Sequence, residues 1–378
     1  MGPLTGIRVI EVKGLGPGPY AGMLFADLGA DVIVVERSST PTGLAPPADK
    51  DVHSRGKRSI ALNLKTPAGL DVLLRLVRQS NVLFEGFRPG VAERLGFGPD
   101  TCLASNPRLV YGRLTGWGQA GSLAPRAGHD INYIALVGAL AAIGNAEKPT
   151  VPLNLVGDYA GGSLFLVIGV LAALLDVART GKGQVIDAAI VDGTASLMSA
   201  FHGWQALGFW KRERASNLLD GAAPNYDVYE TADGRFLAVG ALEPQFAAAF
   251  LDGLDLTDGE RTIADGRDGW PQAKAVIARR IREHTSDEWL ANYAAQDACV
   301  TPVLDIVDAP AHAHHQARDT YIDIAGVTQP APAPRFSQSQ PATPQAPHRE
   351  GADTDTILTE FGYSADEIAV LRSSGALS

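Results

Sequence analysis

The segments Ile7-Arg8-Val9-Ile10-Glu11-Val12, Gly14-Leu15-Gly16-Pro17-Gly18-Pro19 and Val32-Ile33-Val34-Val35 decide the reading of the fold. The first is rich in β-branched residues and alternates as a strand does, and the glycines and prolines of the second stop it. Tyr20 to Leu28 then reads as a helix and Val32 to Val35 as a second strand. Links this short predict a βαβ unit with parallel strands. Working outward, Thr66 followed by Pro67 predicts the start of a helix running to about Gln79. Short strands follow at Val82 to Glu85 and near Leu109 to Thr115. The opening third of the chain therefore reads as an α/β, doubly wound domain.

Further along, Asp158 precedes a small-residue turn at Gly161 and Gly162, which leads into an apolar helix ending near Arg179. Gly181-Lys182-Gly183 breaks it before a strand from Gln184 to Ala189, and Asp192 starts another helix towards Phe209. Residues 225 to 240 read as a hairpin turning at Asp233-Gly234, and Glu243 opens a helical stretch. Six prolines between residues 329 and 347 predict an extended segment. Ser364-Ala365-Asp366-Glu367 then has the pattern of a capping box. The expected organisation is a large domain over residues 1–200, a smaller α+β domain over 225–310, and a tail, 320–378, that returns to the large domain.

The chain has 378 residues, a net charge of −10 and 46% hydrophobic residues. That length favours two domains. The charge argues against a nucleic-acid partner but leaves room for a local basic site. Cys102 and Cys299 are too few for a disulfide framework or a thiolate metal cage, which fits a reducing, cytoplasmic location. Met1 leads directly into a strand-like run, without the basic and apolar regions of a secretion signal. The final Ala376-Leu377-Ser378 does not match the usual peroxisomal tripeptide. The most apolar stretch, Leu164 to Leu175, is shorter than the roughly 20 residues of a bilayer span and is expected to be a buried helix, with no membrane partner. His312, His314 and His315 lie close together but lack a carboxylate or thiol at ligand spacing, so no metal site is expected.

Gly14 to Pro19, with Glu36 at the end of the next strand, imitates a dinucleotide fingerprint. That motif holds a pyrophosphate with backbone N–H groups. Pro17 and Pro19 each remove one, and the glycine spacing is wrong. A tight βα turn is the better reading, without a nicotinamide cofactor.

Several stretches resemble the class III CoA-transferase family. They are Gly6 to Glu11, Ala26 to Val32, Arg55 to Ile60, Leu62 to Lys65, Arg88-Pro89-Gly90 with Arg94-Leu95-Gly96, Gly183 to Asp187, and the tail from Leu358 to Arg372. Three more resemble the family's α-methylacyl-CoA racemase branch: Gly128 to Tyr133, Leu153 to Asp158 and Gly240 to Phe246. The resemblance covers nearly the whole chain in the family's order. It implies an interlocked homodimer, with active sites between the large domain of one subunit and the small domain of the other. It also implies a CoA thioester as substrate, with no separate cofactor.

In that branch the motif positions hold the catalytic residues, here His129, Asp158, Glu243 and Asn154. Epimerising a 2-methylacyl-CoA needs a base on one face of the α-carbon and an acid on the other, roles that His129 and Asp158 can exchange. Glu243 could hold the His129 ring, and Asn154 could orient the Asp158 carboxyl. Backbone N–H groups around Asp130 would stabilise the enolate oxygen, and Gly128 and Tyr133 would lie along the acyl group. Without the resemblance, a histidine in a glycine-rich turn reads as structural, and Gly-Asp before Gly-Gly reads as a helix cap.

For the phosphates of CoA, Arg37 and Arg94 are the expected anchors, with Arg88 and Lys65 beside them. The resemblance adds backbone contacts from Leu62, Asn63, Leu64, Gly86 and Phe87. Arg55, Lys57 and Arg58 are basic too but receive no assignment. Three activities remain open: a 2-methylacyl-CoA racemase, a CoA-transferase with Asp158 as nucleophile, and a catalytically silent CoA-ester-binding subunit.

Overall fold

The computed structural model describes residues 2–37, 47–257, 260 and 266–377. These form two compact units. The first takes residues up to 137, 153–197 and 314 onwards; the second takes 138–152 and 198–313.

The first unit is built on a six-stranded sheet in the order β3-β2-β1-β4-β5-β6. Its strands are β1 (Arg8–Val12), β2 (Asp31–Glu36), β3 (Arg58–Ala61), β4 (Val82–Glu85), β5 (Val110–Thr115) and β6 (Gln184–Ala189). Every pairing is parallel. Successive side chains on a strand point to opposite faces, and here both faces are apolar. Ile10, Ile33, Val35, Ile60 and Leu83 point into one core, and Val9, Val32, Val82, Phe84 and Val110 into the other.

The helix Pro67–Arg78 covers the first face, its start fixed by the Thr66 hydroxyl, which accepts the N–H of Gly69. Ile357, Leu358, Phe361 and Ile368 of the tail pack into the same core. The helices Pro17–Asp27 and Leu164–Thr180 cover the second face through Ala21, Phe25, Leu166, Val170 and Val177. Truncating such a side chain to Ala costs about 2–5 kcal/mol.

Three local readings change. The first helix starts at Pro17, inside the expected turn, because a proline's fixed φ and missing N–H suit a first helical position. The expected turn after Asp158 is a π-helix, Leu155–Ser163, which runs on into the apolar helix. Together they make one helix of 26 residues, Leu155–Thr180, long and apolar enough by length and composition to cross a membrane. It packs against β5, β6 and the helix Pro17–Asp27.

The basic residues left without a role are structural. Arg55 pairs with Asp27 and Lys57 with Glu11, each at 2.6 Å and out of water. Arg58 joins Asp31 and Glu360. Removing one member of such a buried pair costs about 3–5 kcal/mol.

The second unit has a three-stranded antiparallel sheet, β7 (Tyr226–Glu230), β8 (Phe236–Gly240) and β9 (Val300–Pro302), with Gly234 at positive φ in the expected turn. Phe250, Ile277, Trp289 and Tyr293 from its helices fill a separate core. Residues 138–152, which the sequence placed in the large domain, belong to this unit. Arg214 holds them, donating to the carbonyls of Ala141 and Asn145.

Candidate active site

In a parallel sheet, strand order reverses at one point, and ligands bind outside the carboxyl ends of the strands there. Here that point lies between β1 and β4, where Gly14-Leu15-Gly16 and Gly86-Phe87-Arg88 leave the sheet. Gly16 has φ +70, and its Cα faces Asp158 so closely that a Cβ would stand 3.3 Å from Asp158 Oδ2. The positive φ favours glycine there, and a larger residue would also crowd the Asp158 carboxyl.

Asp158 sits in the first turn of the π-helix, an element rare in proteins and frequent at functional sites. Small residues let this wider coil fit. A Cβ on Gly161 would meet Thr194 Oγ1 at 2.3 Å, and one on Gly162 would meet Ile190. Ser163 ties the coil to the β1 turn by donating to the Pro17 carbonyl at 2.7 Å.

The Asp158 carboxyl is half-buried and accepts from Asn154 Nδ2 at 3.3 Å. Its backbone N–H donates to Asp130 Oδ2 at 2.7 Å. Burial pushes its proton affinity above the ordinary aspartate range. The Asn154 donor and the nearby His129 pull against this, and the Asp130 carboxylate adds to it. A carboxyl so placed takes a proton more readily and keeps it to higher pH.

His129 is the residue before the helix Asp130–Leu136, and its N–H donates to Asn132 Oδ1 at 3.0 Å. The side chain is exposed. Tyr133 lies beneath this turn, buried, with its hydroxyl donating to the Gly128 carbonyl and its ring edge-on to Trp117 at 4.8 Å. Gly116 and Gly128 have no room for a Cβ against that ring. Tyr133 thus shapes the turn that carries His129. Asp130 N–H stands at the first helical position, where backbone donors have no intrahelical acceptor.

The residues expected to meet the phosphates are open to solvent. Gly86, Phe87, Arg88, Pro89, Val91, Arg94 and Pro125 line a cavity of about 580 Å³. Arg37, Lys65, Arg88 and Arg94 are exposed, and none forms an ion pair among the described residues. The N–H groups of Leu62 and Asn63 donate to the Glu36 and Ala376 carbonyls at 2.8 and 2.9 Å, and the Asn63 carbonyl accepts from the Thr66 N–H and hydroxyl. Glu243 is the residue before the helix Pro244–Gly253 in the second unit, with no side-chain bond to that helix, and is exposed.

Sequence reasoning missed Tyr159, whose ring packs at a tilt against Tyr20 at 4.7 Å and meets the His53 ring edge-on beside the Asp158 position. No local signal marks that cluster, since the three rings come from three segments. Among the described residues, no group of three or more His, Cys, Asp or Glu is placed to hold a metal ion.

A parallel sheet of nucleotide-binding order, with a titratable carboxyl at its switch point and free cations beside it, defines an α/β enzyme for an anionic, nucleotide-like substrate. The chain belongs to the CoA-transferase family III, whose family model matches residues 4–354. It is 46% identical to alpha-methylacyl-CoA racemase of Homo sapiens over 376 residues, covering 98% of this chain and 96% of that one. It is 45% identical to the Mus musculus protein of the same name over 374 residues, with the same coverage. Among solved structures it is similar to a CAIB/BAIF family protein from Brucella suis, with TM-score 0.83, 26% identity, and 95% and 99% of the two chains covered.

Proposed function

We infer that the chain is a racemase that interconverts (R)- and (S)-2-methylacyl-CoA. The relatives of that name share nearly half its sequence over almost its full length. The observation that carries the reading is that Asp130, the residue after His129, accepts the Asp158 backbone N–H at 2.7 Å, which brings the two groups to one place in the fold. One group removes the α-proton, an enolate forms, and the other returns a proton from the opposite face. With the second epimer the roles reverse. Burial raises the proton affinity of the Asp158 carboxyl, which suits a group that must return a proton as well as take one.

The enolate oxygen would be met by the Asp130 N–H, and Arg37, Arg88, Arg94 and Lys65 would hold the CoA phosphates. No cofactor is required beyond the thioester. Two free thiols fit a cytoplasmic setting, and burial pushes that of Cys102 up to about 12, beyond reactivity.

The proposed assembly is an interlocked homodimer in which Glu243 of one chain meets His129 of the other. Exposed Leu164, Ile168, Leu175 and Val185 support it, being apolar surface that a second chain would cover. One experiment tests reaction and assembly together. Wild type should convert a single epimer to a mixture, and His129→Ala and Glu243→Ala should each be inactive alone. Co-expressed, they should regain activity in about a quarter of sites, given random pairing. A silent wild type rejects the reaction, and silent mixed dimers reject the shared site.

A further inference from the structure

The Asp130 side chain stands in an arrangement that the reaction as described does not use. An acid at the start of a helix ordinarily serves that helix's own N–H groups. Asp130 instead reaches across to the π-helix, where its Oδ2 accepts the backbone N–H of Asp158 at 2.7 Å. The residue is 6% exposed, and its Oδ1 is buried without a hydrogen-bond partner among the described residues. A buried, half-satisfied carboxylate is costly, and folds rarely keep one without a use. The π-helix is also shaped around it. A Cβ on Gly157 would stand 2.4 Å from Asp130 Oδ2, so only glycine lets the peptide ahead of Asp158 come this close.

The neighbours of Asp158 single out Asp130. Asn154 donates to the Asp158 carboxyl, and His129 favours its ionised form. Tyr133 is within electrostatic reach, itself influenced by Arg88. The helices Pro17–Asp27 and Ile190–Leu197 bring Tyr20 and Thr194 against the π-helix, both uncharged. Asp130 is the carboxylate among these groups, and its charge opposes ionisation of Asp158.

We propose that Asp130 is a positioning residue for Asp158, clamping its peptide N–H with Oδ2 and setting a second carboxyl group beside the proton-carrying one. This rests on the reading of Asp158 as a proton-transfer group and deepens it.

Asp130→Asn keeps an oxygen for the Asp158 N–H and removes the charge; Asp130→Ala removes both. The Asp158 carboxyl is followed directly by infrared difference spectroscopy, its band assigned with Asp158→Asn. α-Hydrogen exchange of 2-methylacyl-CoA is measured across pH on the same proteins. In Asp130→Asn the Asp158 band should titrate at lower pH than in wild type. The acidic limb of kcat/KM should move down with it, and the maximal rate should fall by no more than about tenfold. Asp130→Ala should lose about a hundredfold in kcat, because the peptide carrying Asp158 is no longer held.

An unchanged Asp158 titration in Asp130→Asn overturns the proposal, as does a shifted titration with an unshifted rate profile. If Asp130→Asn does not fold, Gly157→Ala displaces the same carboxylate and carries the test, with the same lowered titration expected and an unmoved one contradicting. A wild type that exchanges no α-hydrogen defeats the proposed reaction, while the titration still decides whether Asp130 acts on Asp158.

Discussion

The two ends of the candidate site are built in opposite ways. At the carboxyl end, Asp158 is half-buried, bonded to Asn154, tethered through its backbone to Asp130, and pressed over a glycine. At the proposed phosphate end, Arg88 and Arg94 are exposed side chains lining an open cavity, and Arg37 and Lys65 are exposed as well. In the proposed reaction the difference follows from what each end must do. Proton transfer depends on angstrom-level geometry and on a tuned proton affinity, so its residues are held from several sides. Phosphate recognition depends on charge and reach, which flexible cations supply without fixed neighbours. Substitutions should therefore be steep in kcat at one end and shallow in KM at the other.

The steepest case is Asp158→Ala, for which a loss of about 10²–10⁴-fold in kcat with little change in KM is expected from steady-state rates. The same carboxyl separates racemase from transferase. As a proton carrier it forms no bond to the acyl group, so hydroxylamine added during turnover should leave Asp158 unmodified by peptide mass. A hydroxamate at Asp158 would install the transferase mechanism, with its covalent intermediates. At the other end, Arg94→Ala should raise KM for acyl-CoA about tenfold with kcat nearly unchanged, because a remote phosphate contact acts equally on substrate and transition state. A kcat collapse at constant KM would erase the contrast between the two ends.

Glu85 sharpens the comparison from beneath the phosphate loop and should affect activity least. Its carboxyl accepts the Phe87 N–H at 2.6 Å and stands 3.4 Å from Arg113 without a hydrogen bond between them. Burial raises it from 4.5 to about 7, with the Phe87 bond and Arg113 opposing. In the unfolded chain it ionises first as pH rises, so its contribution to stability falls between about pH 4.5 and 7 and is level above. Glu85→Gln removes that slope. Between pH 5 and 8 the variant should gain roughly 2–3 kcal/mol relative to wild type in urea unfolding. Parallel stability curves would place the Glu85 carboxyl in the ordinary range.

Much of this was legible in the sequence because it is local or periodic. β1, β2 and β4 follow from β-branched runs punctuated by glycine and proline, and the Thr66-Pro67 start and the Ser364-Glu367 box follow from side-chain chemistry within one turn. What escaped depends on partners distant in sequence. The π-helix exists because Gly157, Gly161 and Gly162 meet Asp130, Thr194 and Ile190, and glycines alone read as a turn. The Asp130 tether spans 28 residues, and the assignment of 138–152 to the second unit hangs on Arg214. The N–H groups of Leu62 and Asn63 are taken by Glu36 and the returning tail, partners that lie far off in sequence.

The central claim is that two groups exchange a proton with the α-carbon of a 2-methylacyl-CoA from opposite faces. The most direct measurement incubates each pure epimer with the enzyme in D₂O and follows deuterium at C2 together with configuration. The account predicts deuterium in the product from either epimer, with configuration lost to a mixture. Unlabelled substrate of unchanged configuration after many turnovers' worth of enzyme, or CoA transferred to an added carboxylic acid instead, would contradict it.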